Sequence, residues 1–215
     1  TEADAHEPGE AAEHIVIHIT EPGTYRVSGK LEKGQLFINL GEKNENAKKD
    51  PNAVVTLLLE NVDITCTVAP AVLFYDVYEC GDKEVTNATA IVDTSKAGAN
   101  VIIVDGCTNN INGSYVAKIY EPGTTDKLAK FDGAFYSKRS LNISSEENGT
   151  GILNIVAENE GLDSELHLTV NGGNINISSG NDGINTNEDN ISVTTVNGGS
   201  ITINAGLGDE GDGID

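Results

Sequence analysis

The sequence predicts an all-β fold, specifically a right-handed parallel β-helix, the solenoid in which short strands stack on one another. Two observations predict this fold. The C-terminal third repeats a turn–strand–turn cassette, and apolar residues alternate with polar ones along its strands. Because one coil of such a solenoid cannot bury its inner face alone, successive coils are expected to stabilise one another.

The repeat is clearest between residues 171–180 (NGGNINISSG) and residues 197–206 (NGGSITINAG), which match at an offset of 26 residues. Each copy is followed by Asp-Gly-Ile, beginning at Asp182 and at Asp212. Glycine and asparagine at the predicted corners supply the backbone conformations of tight turns. The residues predicted to face inward are Leu166, Leu168, Val170, Ile175, Ile177 and Ile184, and then Ile191, Val193, Ile201, Ile203 and Ile214.

Weaker copies extend this pattern towards the N-terminus, where Leu141 and Ile143 are expected to stack on Leu166 and Leu168 at an offset of 25 residues. Residues 1–14 contain few large apolar side chains and are predicted to form a flexible tether. Residues 15–215 form one predicted domain, and the unfinished repeat at its end indicates truncation there. The alternative is an antiparallel sandwich with Asn-Gly hairpin turns, which gives no reason for a near-constant offset.

The charge of the chain limits its possible partners. Thirteen Lys and Arg stand against 34 Asp and Glu, which gives a formal net charge of −21. Nucleic acid is therefore excluded as a partner, because its phosphates would be repelled. No apolar run is long enough for a transmembrane segment. The three cysteines lack a metal-binding spacing, and the sequence leaves open whether two of them form a disulfide.

Acidic and amide side chains occupy corresponding positions in the predicted coils, which lie about 4.8 Å apart. One predicted file, at a single corner, contains Asp132, Glu160, Asp182 and Asp212. A second file, three positions later, contains Phe135, Asp163, Asn185 and Asp215. Glu165 and Asn187 fall together two positions beyond it. Further acids lie on adjacent loops. The predicted metal ligands are Asp132, Glu160, Asp163, Glu165, Asp182, Asn185, Asn187, Asp209, Asp212 and Asp215.

This arrangement of oxygen ligands favours calcium. Carboxylates at such spacing repel one another, and residues 141–215 contain no Lys or Arg to compensate for them. A divalent cation would remove the repulsion, and oxygen-only ligands in flexible turns suit Ca²⁺ better than Zn²⁺. The alternative is that these Asp and Asn residues only stabilise turns.

Calcium in turn indicates an acidic ligand. An acidic surface repels a uronic-acid polymer unless a bound cation offers the sugar carboxylate a coordination site. The predicted ligand is therefore an acidic polysaccharide such as polygalacturonate or pectin. Glu188, Asp189, Lys138 and Arg139 are predicted to contact this ligand. A sugar-stacking platform among the aromatic residues, all of which precede residue 137, is the alternative.

Several motifs resemble those of a known family. Residues 23–31 (GTYRVSGKL), residues 132–143 (DGAFYSKRSLNI), EGLDSE and the Asn-Gly-Gly and Asp-Gly-Ile repeats are similar to clostridial carbohydrate-binding β-helix proteins. The resemblance implies a surface-located, extracellular bacterial protein that binds cellulose as well as acidic sugars. It also implies a fold related to the pectate lyases, calcium in lyase-like positions and no demonstrated cleavage.

A polyuronate lyase is the rival function. It needs calcium to acidify the proton beside the sugar carboxylate and a Lys or Arg base to remove that proton. Lys138 and Arg139, with Lys127 and Lys130 before them, are the basic residues near a repeat corner, while the acidic repeats contain none. His167 alternates with buried leucines and is expected at the surface. We therefore predict a binding protein, with a lyase or a purely structural surface adhesin as alternatives.

Overall fold

The computed structural model describes residues 6, 8–120, 127–206 and 211–215, and these residues form an all-β protein with two large parallel sheets. The six-stranded sheet contains, in spatial order, β1 (Ile15–Ile19), β3 (Gly34–Asn39), β5 (Val72–Asp76), β10 (Gly133–Ser137), β13 (Glu160–Ser164) and β16 (Ile184–Thr186). An antiparallel ribbon pairs β8 (Val116–Tyr120) with β9 (Lys127–Phe131).

The ten-stranded sheet is built around one long strand, β4 (Val55–Cys66). On one side of it lie β6 (Ala99–Ile103), β11 (Leu141–Ser145), β14 (Leu168–Val170) and β17 (Thr194–Val196). On the other side lie β7 (Thr108–Gly113), β12 (Ile152–Ala157), β15 (Asn174–Ser179) and β18 (Ser200–Asn204), and β2 (Gly23–Leu31) pairs with β4 itself.

The predicted right-handed parallel β-helix is wrong. The all-β class and the parallel pairing are found, but the strands form two curled sheets instead of a regular three-edged solenoid. The reason lies in β4, which pairs with β6 through Val55–Leu59 and with β7 through residues 63–66, so one continuous strand joins two edges that a regular solenoid would separate by a corner. The strand bends at Asn61, whose φ is +55° and whose Oδ1 accepts a hydrogen bond from the Thr108 N–H at 3.1 Å.

The strand registers test the stacking predicted from the repeats. Ile175 lies opposite Ile201 and Ile184 opposite Ile214, so the offsets of 26 and 30 residues are confirmed. The upstream offset of 25 residues is wrong, because Leu141 lies opposite Leu168. A shift by two residues keeps the same side-chain face inward, which is why alternation alone could not detect it.

The hydrophobic core lies between the apolar faces of the two sheets. Ile38, Phe74 and Phe135 of the six-stranded sheet belong to the same buried cluster as Leu57 and Leu153 of the ten-stranded sheet. Because successive strand residues point to opposite faces, Tyr136 of β10 and Asp163 of β13, which follow the core residues Phe135 and Leu162, are directed to the outer face of the six-stranded sheet. Part of that outer face carries the polar side chains described below.

The N-terminal segment predicted as a tether contains a short helix, α1 (Pro8–Ala11), before the first strand begins at Ile15. Cys66, Cys80 and Cys107 are free thiols. Within the part of the chain that the structure describes, there is no helix whose length and apolar character would let it cross a membrane.

Candidate metal centre

Three buried carboxylates meet on the outer face of the six-stranded sheet. Asp132, Glu160 and Asp163 each offer an oxygen, and these oxygens all lie within 4.8 Å of one another. The three side chains are buried, with Asp163 fully inaccessible. We call Asp132, Glu160 and Asp163 the acidic cluster. Among the described residues it is the only group of three or more His, Cys, Asp or Glu with this spacing.

Two adjacent strands position the acidic cluster. Asp132 directly precedes β10, while Glu160 begins β13 and Asp163 lies within it. The strands pair in parallel with Gly133 opposite Glu160, and the Glu160 N–H donates to the Asp132 carbonyl at 3.1 Å. Gly133 has no side chain where a Cβ would lie 2.6 Å from the Asp163 Cβ. This close approach lets the carboxylates of neighbouring strands converge.

The burial of the acidic cluster disfavours its ionisation. Burial, followed by the negative charge of Asp132, raises the pKa of Glu160 to about 7. Burial and the charge of Glu160 raise the pKa of Asp163 well above its usual range. The carboxyl groups of Glu160 and Asp163 also hydrogen-bond to each other. Without a cation, protons therefore compensate for part of the negative charge of the acidic cluster at neutral pH.

Hydrogen-bonding residues surround the acidic cluster without satisfying all of its oxygens. The Asn187 amide donates to Asp163 Oδ1 at 2.7 Å, and the Asn185 amide donates to Asn187 Oδ1 at 3.0 Å. Buried Tyr136 donates its hydroxyl hydrogen to Glu165. Burial and the neighbouring Glu165 raise the pKa of Tyr136, which keeps this donor protonated. Glu160 Oε2 and Asp163 Oδ2 are buried and accept no hydrogen bond from an N–H or hydroxyl group of the described residues.

One cation of the protein reaches the acidic cluster. Lys130, at the end of the β8–β9 ribbon, places its Nζ 2.5 Å from Asp132 Oδ2. Burial opposes its charge, yet the hydrogen bond to Asp132 keeps the pKa of Lys130 above its usual value. The sequence contains no Lys or Arg among the acidic repeats, and the lysine that reaches the acidic cluster comes from the preceding ribbon.

The donor set fits a hard cation. The three carboxylates of the acidic cluster offer oxygen ligands of the kind that Ca²⁺ prefers, and two of these oxygens are buried without an N–H or O–H donor. A buried carboxylate oxygen without a hydrogen bond is costly unless a proton or a cation satisfies it. Asp132, Glu160 and Asp163 are therefore the residues that would hold the ion.

The remaining predicted ligands are distributed around this centre. Asp163 lies opposite Asn185, as predicted, but the residue opposite it on the other side is Tyr136 and not Phe135. Asp182 is buried and accepts the Asp212 N–H at 2.7 Å, while Asp212 and Asp215 are exposed. Asp209 lies outside the described residues.

Of the four residues predicted to contact the polysaccharide, Lys138, Arg139 and Glu188 each interact with another side chain of the protein. Arg139 forms an ion pair with Asp76 at 2.8 Å, and the Lys138 Nζ lies 4.4 Å above the ring of Tyr75. Glu188 pairs with Lys83, and Asp189 is exposed. Tyr136 was not predicted as a neighbour of the acidic cluster, and Lys130 was predicted only to lie near a repeat corner. The available signal was their spacing, since Tyr136 immediately follows Phe135 in the aligned file and Lys130 precedes Asp132 by two residues.

An aromatic row leads along the same outer face to the acidic cluster. Phe37 contacts His18 and Tyr75, with ring centroids 5.3 and 5.7 Å apart. Phe131 packs against both Tyr75 and Tyr136, at 6.1 and 5.1 Å. We call His18, Phe37, Tyr75, Phe131 and Tyr136 the aromatic row. His18 is exposed, Tyr136 is buried and the other three are half-buried, so ring edges and faces remain accessible beside the carboxylates.

The chain is similar to a known protein family and to a solved structure. A family model described as "Carbohydrate-binding domain-containing protein" matches residues 13–215. No curated protein matches the sequence. One similar solved structure is described as "Structure of the polysaccharide lyase-like protein from C. thermocellum, Gadolinium derivative". It is 21% identical, with a TM-score of 0.54, over 87% of this chain and 72% of that chain. At this identity the similarity concerns the fold alone.

Proposed function

The chain belongs to the family of carbohydrate-binding domain-containing proteins, and from this membership we propose that it binds an acidic polysaccharide of the polygalacturonate or pectin type through calcium, without cleaving it. The observation that carries the proposal is the acidic cluster, with its oxygens within 4.8 Å of one another and two of them buried without a partner. Three ionised carboxylates at this spacing need a positive charge to offset their repulsion, and an anionic polyuronate cannot supply it.

Asp132, Glu160 and Asp163 would bind Ca²⁺, and Asn185 and Asn187 would orient the carboxylates from the neighbouring strand. Calcium bound there supplies open coordination positions for a sugar carboxylate. The aromatic row supports the same ligand, because half-buried rings next to a carboxylate-binding centre can contact the apolar faces of the adjoining sugars. The overall charge of −21 agrees with a requirement for the cation, since polyuronate would otherwise be repelled.

Electrophoresis in gels containing polygalacturonate, with Ca²⁺ or with chelator, tests the proposal. We expect the wild type to be retarded only with Ca²⁺. Asp163→Asn should abolish the retardation and weaken calcium binding in calorimetry by at least about tenfold, since it removes a buried charged ligand. Glu147→Gln, which changes an exposed acid, is the control for net charge. Retardation that persists in chelator, or that survives Asp163→Asn, would contradict the proposal.

Lys130 favours a second candidate function, a calcium-dependent polyuronate lyase. Its amine lies beside the acidic cluster at 2.5 Å from Asp132. Calcium held by that carboxylate would weaken the ion pair that keeps the amine protonated, and the free amine could then remove the proton adjacent to a sugar carboxylate. Polygalacturonate incubated with the protein and Ca²⁺ distinguishes the two functions. Ultraviolet absorbance from an unsaturated uronide, lost in Lys130→Gln, would establish the lyase, whereas unchanged polymer with retained binding supports the binding protein.

We further propose that the protein acts outside the cell, at a bacterial cell surface, where such polymers occur, and that cellulose is an additional ligand. Binding to insoluble cellulose in chelator, compared with binding to polygalacturonate in Ca²⁺, separates these two ligands. A surface adhesin with purely structural calcium would bind neither polymer. Fractionation of the source cells, followed by detection of the protein in the surface fraction, tests the location.

A further inference from the structure

A second site is formed by a cleft on another part of the surface. The segment from Val77 to Gly98 contains no strand and only one 3₁₀ turn, Val85–Asn87. It surrounds a cleft of about 250 Å³. The floor of the cleft contains His167, Ile191 and Cys80, and its rim contains Asp82, Ile91 and Asp93. The acidic cluster contributes no residue to it.

The cleft presents an unpaired hydrogen-bond donor. His167, expected at the surface from its alternation, is only 3% exposed. Its Nδ1 accepts the Val193 N–H at 3.2 Å, so a neutral ring carries its proton on Nε2. Burial lowers the pKa of His167 and keeps the ring neutral at pH 7. The Nε2–H has no acceptor among the described residues, and the ring lines the cleft.

The rim of the cleft presents acceptors. Asp82 accepts the Glu84 N–H at 2.9 Å and the Asn87 amide at 2.6 Å. Asp93 accepts the Ser95 N–H at 2.9 Å. The hydrogen bonds from Glu84 and Asn87 lower the pKa of Asp82, and those from the hydroxyl and the N–H of Ser95 lower the pKa of Asp93, so both carboxyl groups are ionised at neutral pH. Their remaining lone pairs are available to hydrogen-bond donors from a ligand.

The histidine donor, the two carboxylates and the volume of the cleft together limit the class of ligand that it can bind. A metal ion is not favoured, because the histidine, cysteine and carboxylates of the cleft form no metal-ligand group of the required spacing. An anionic sugar would be repelled by Asp82 and Asp93, and a cationic amine has no lone pair for the histidine donor. A neutral hydroxyl is both donor and acceptor. The volume lies below the range of about 300–1,000 Å³ typical of larger ligands.

We infer that this cleft binds one neutral sugar unit of a polysaccharide, with hydroxyls that donate to Asp82 and Asp93 and one hydroxyl that accepts from His167. Ile91, which is 87% exposed on the rim, would cover the apolar face of the ring. The inference rests on the proposed carbohydrate-binding function and extends it to a calcium-independent subsite. The protein would then recognise two chemically different sugars at two separate places.

Calorimetry in chelator, with soluble neutral hexasaccharides of glucose, xylose or mannose as probes, tests this inference. We expect at least one of them to bind the wild type. Asp93→Asn and His167→Gln should weaken that binding roughly tenfold, because each removes one hydrogen-bonding partner. Asp50→Asn is the matched control, since Asp50 accepts the Asn52 N–H at 2.9 Å in the same way but lies outside the cleft.

The outcomes separate this inference from the proposed function. The cleft variants should keep calcium-dependent retardation by polygalacturonate, and Asp163→Asn should keep neutral-sugar binding. Asp93 is exposed, so its variant decides the result if His167→Gln fails to fold. The inference is overturned if no neutral hexasaccharide binds the folded wild type, if Asp93→Asn binds like the wild type, or if only Asp163→Asn loses neutral-sugar binding.

Discussion

The carboxyl groups of the acidic cluster are buried, and the hydrogen bonds around them do not fully replace their lost hydration. Their affinity for protons, and the affinity for cations that we propose, both arise from this burial. Glu160 and Asp163 are buried beside Asp132, and their hydrogen bond to each other keeps a proton in the pair. Calcium bound here, as proposed, would compete with protons for the same oxygens. The competition makes both stability and ion binding dependent on pH.

The first prediction concerns stability against pH. The pKa of Glu160 is raised in the folded state to about 7, above its unfolded value, so the folded state holds the proton more tightly. In chelator, the free energy of unfolding should be highest near pH 4 and should decrease as pH rises to about 7. We expect Tm to fall by roughly 5–10 °C across this window. Thermal unfolding followed by circular dichroism provides the measurement.

Calcium should remove most of this fall, because the ion stabilises the ionised carboxylates. Asp163→Asn should show a smaller fall in chelator and little response to calcium. A wild-type Tm that rises between pH 4 and pH 7 in chelator would contradict the assignment of raised pKa values to this cluster.

A second prediction concerns Lys130, whose amine lies 2.5 Å from Asp132. An incoming Ca²⁺ must overcome the repulsion from this charge. Lys130→Gln should therefore increase calcium affinity by about three- to tenfold, which calorimetry can measure. Lys138→Gln is the matched control, because its charge lies above the ring of Tyr75. Lower calcium affinity in Lys130→Gln would show that the amine organises the cluster for the ion.

At the level of strands, the repeated pattern of an acid, a glycine and an apolar residue has a packing cause, and its copies here are Glu160-Gly161-Leu162, Asp182-Gly183-Ile184 and Asp212-Gly213-Ile214. Gly161 and Gly183 occupy equivalent positions in adjacent strands of the six-stranded sheet. A Cβ at Gly161 would lie 2.3 Å from Ile177 Cγ2, and one at Gly183 would lie 2.3 Å from Ile203 Cγ2. Glycine is therefore required where the two sheets approach closely. The third copy, Gly213, has nothing within 4 Å of its Cβ position.

This difference gives a third prediction with an internal control. Gly161→Ala and Gly183→Ala should each destabilise the protein by about 1–3 kcal/mol, because the added methyl overpacks the contact between sheets. Gly213→Ala should be nearly neutral in urea unfolding. Equal losses in all three variants would mean that the glycines act through backbone conformation rather than close packing.

The sequence predicted strands and their neighbours where the repeat is regular. The match between residues 171–180 and 197–206 correctly paired Ile175 with Ile201. It failed upstream, where Leu141 pairs two residues further along than expected. It also failed at β4, because a twelve-residue strand that bends at Asn61 has no counterpart in the repeat. The alternation of apolar and polar residues determines which face of a strand is buried. It does not determine the length of the strand, and it cannot distinguish two registers that differ by two residues.

The site was predictable only in part, for a related reason. Glu160 and Asp163 lie in one strand, so their proximity to the aligned Asp132 could be expected from the repeats. Lys130 and Phe131 come from the antiparallel ribbon, which belongs to no repeat. His167 was placed at the surface by alternation, but the segment from Val77 to Gly98 covers it. Irregular segments packed against the sheets contribute contacts that periodicity does not encode.

On the scale of the whole molecule, the resemblance to carbohydrate-binding proteins drawn from sequence motifs is confirmed by the family match over residues 13–215. Under the proposed function, the large negative charge of the chain affects the binding of an acidic polysaccharide as well as solubility. A chain with 34 acids against 13 Lys and Arg cannot attract a polyuronate by its overall field. Under the proposed function, recognition of a polyuronate depends on the few carboxylates where a bound cation would offset that repulsion.

Salt separates the two ways in which calcium could act on such a surface. Sodium chloride screens charges over about 10 Å at 0.1 M but provides no coordination site for a carboxylate. In chelator, raising the salt from about 20 to about 300 mM should increase Tm by a few degrees, because surface self-repulsion weakens. Asp163→Asn should show the same increase, since the effect is spread over the whole surface.

Polygalacturonate binding should respond differently. Salt without calcium should not restore retardation, whereas calcium at constant ionic strength should, because the sugar carboxylate needs a cation held by Asp132, Glu160 and Asp163. Gel retardation across the same salt series, with magnesium at equal concentration as a control for divalent screening, provides the measurement. Magnesium keeps its waters and demands a stricter geometry, so it should restore binding poorly. A complex that forms in chelator at high salt would mean that calcium only neutralises the surface.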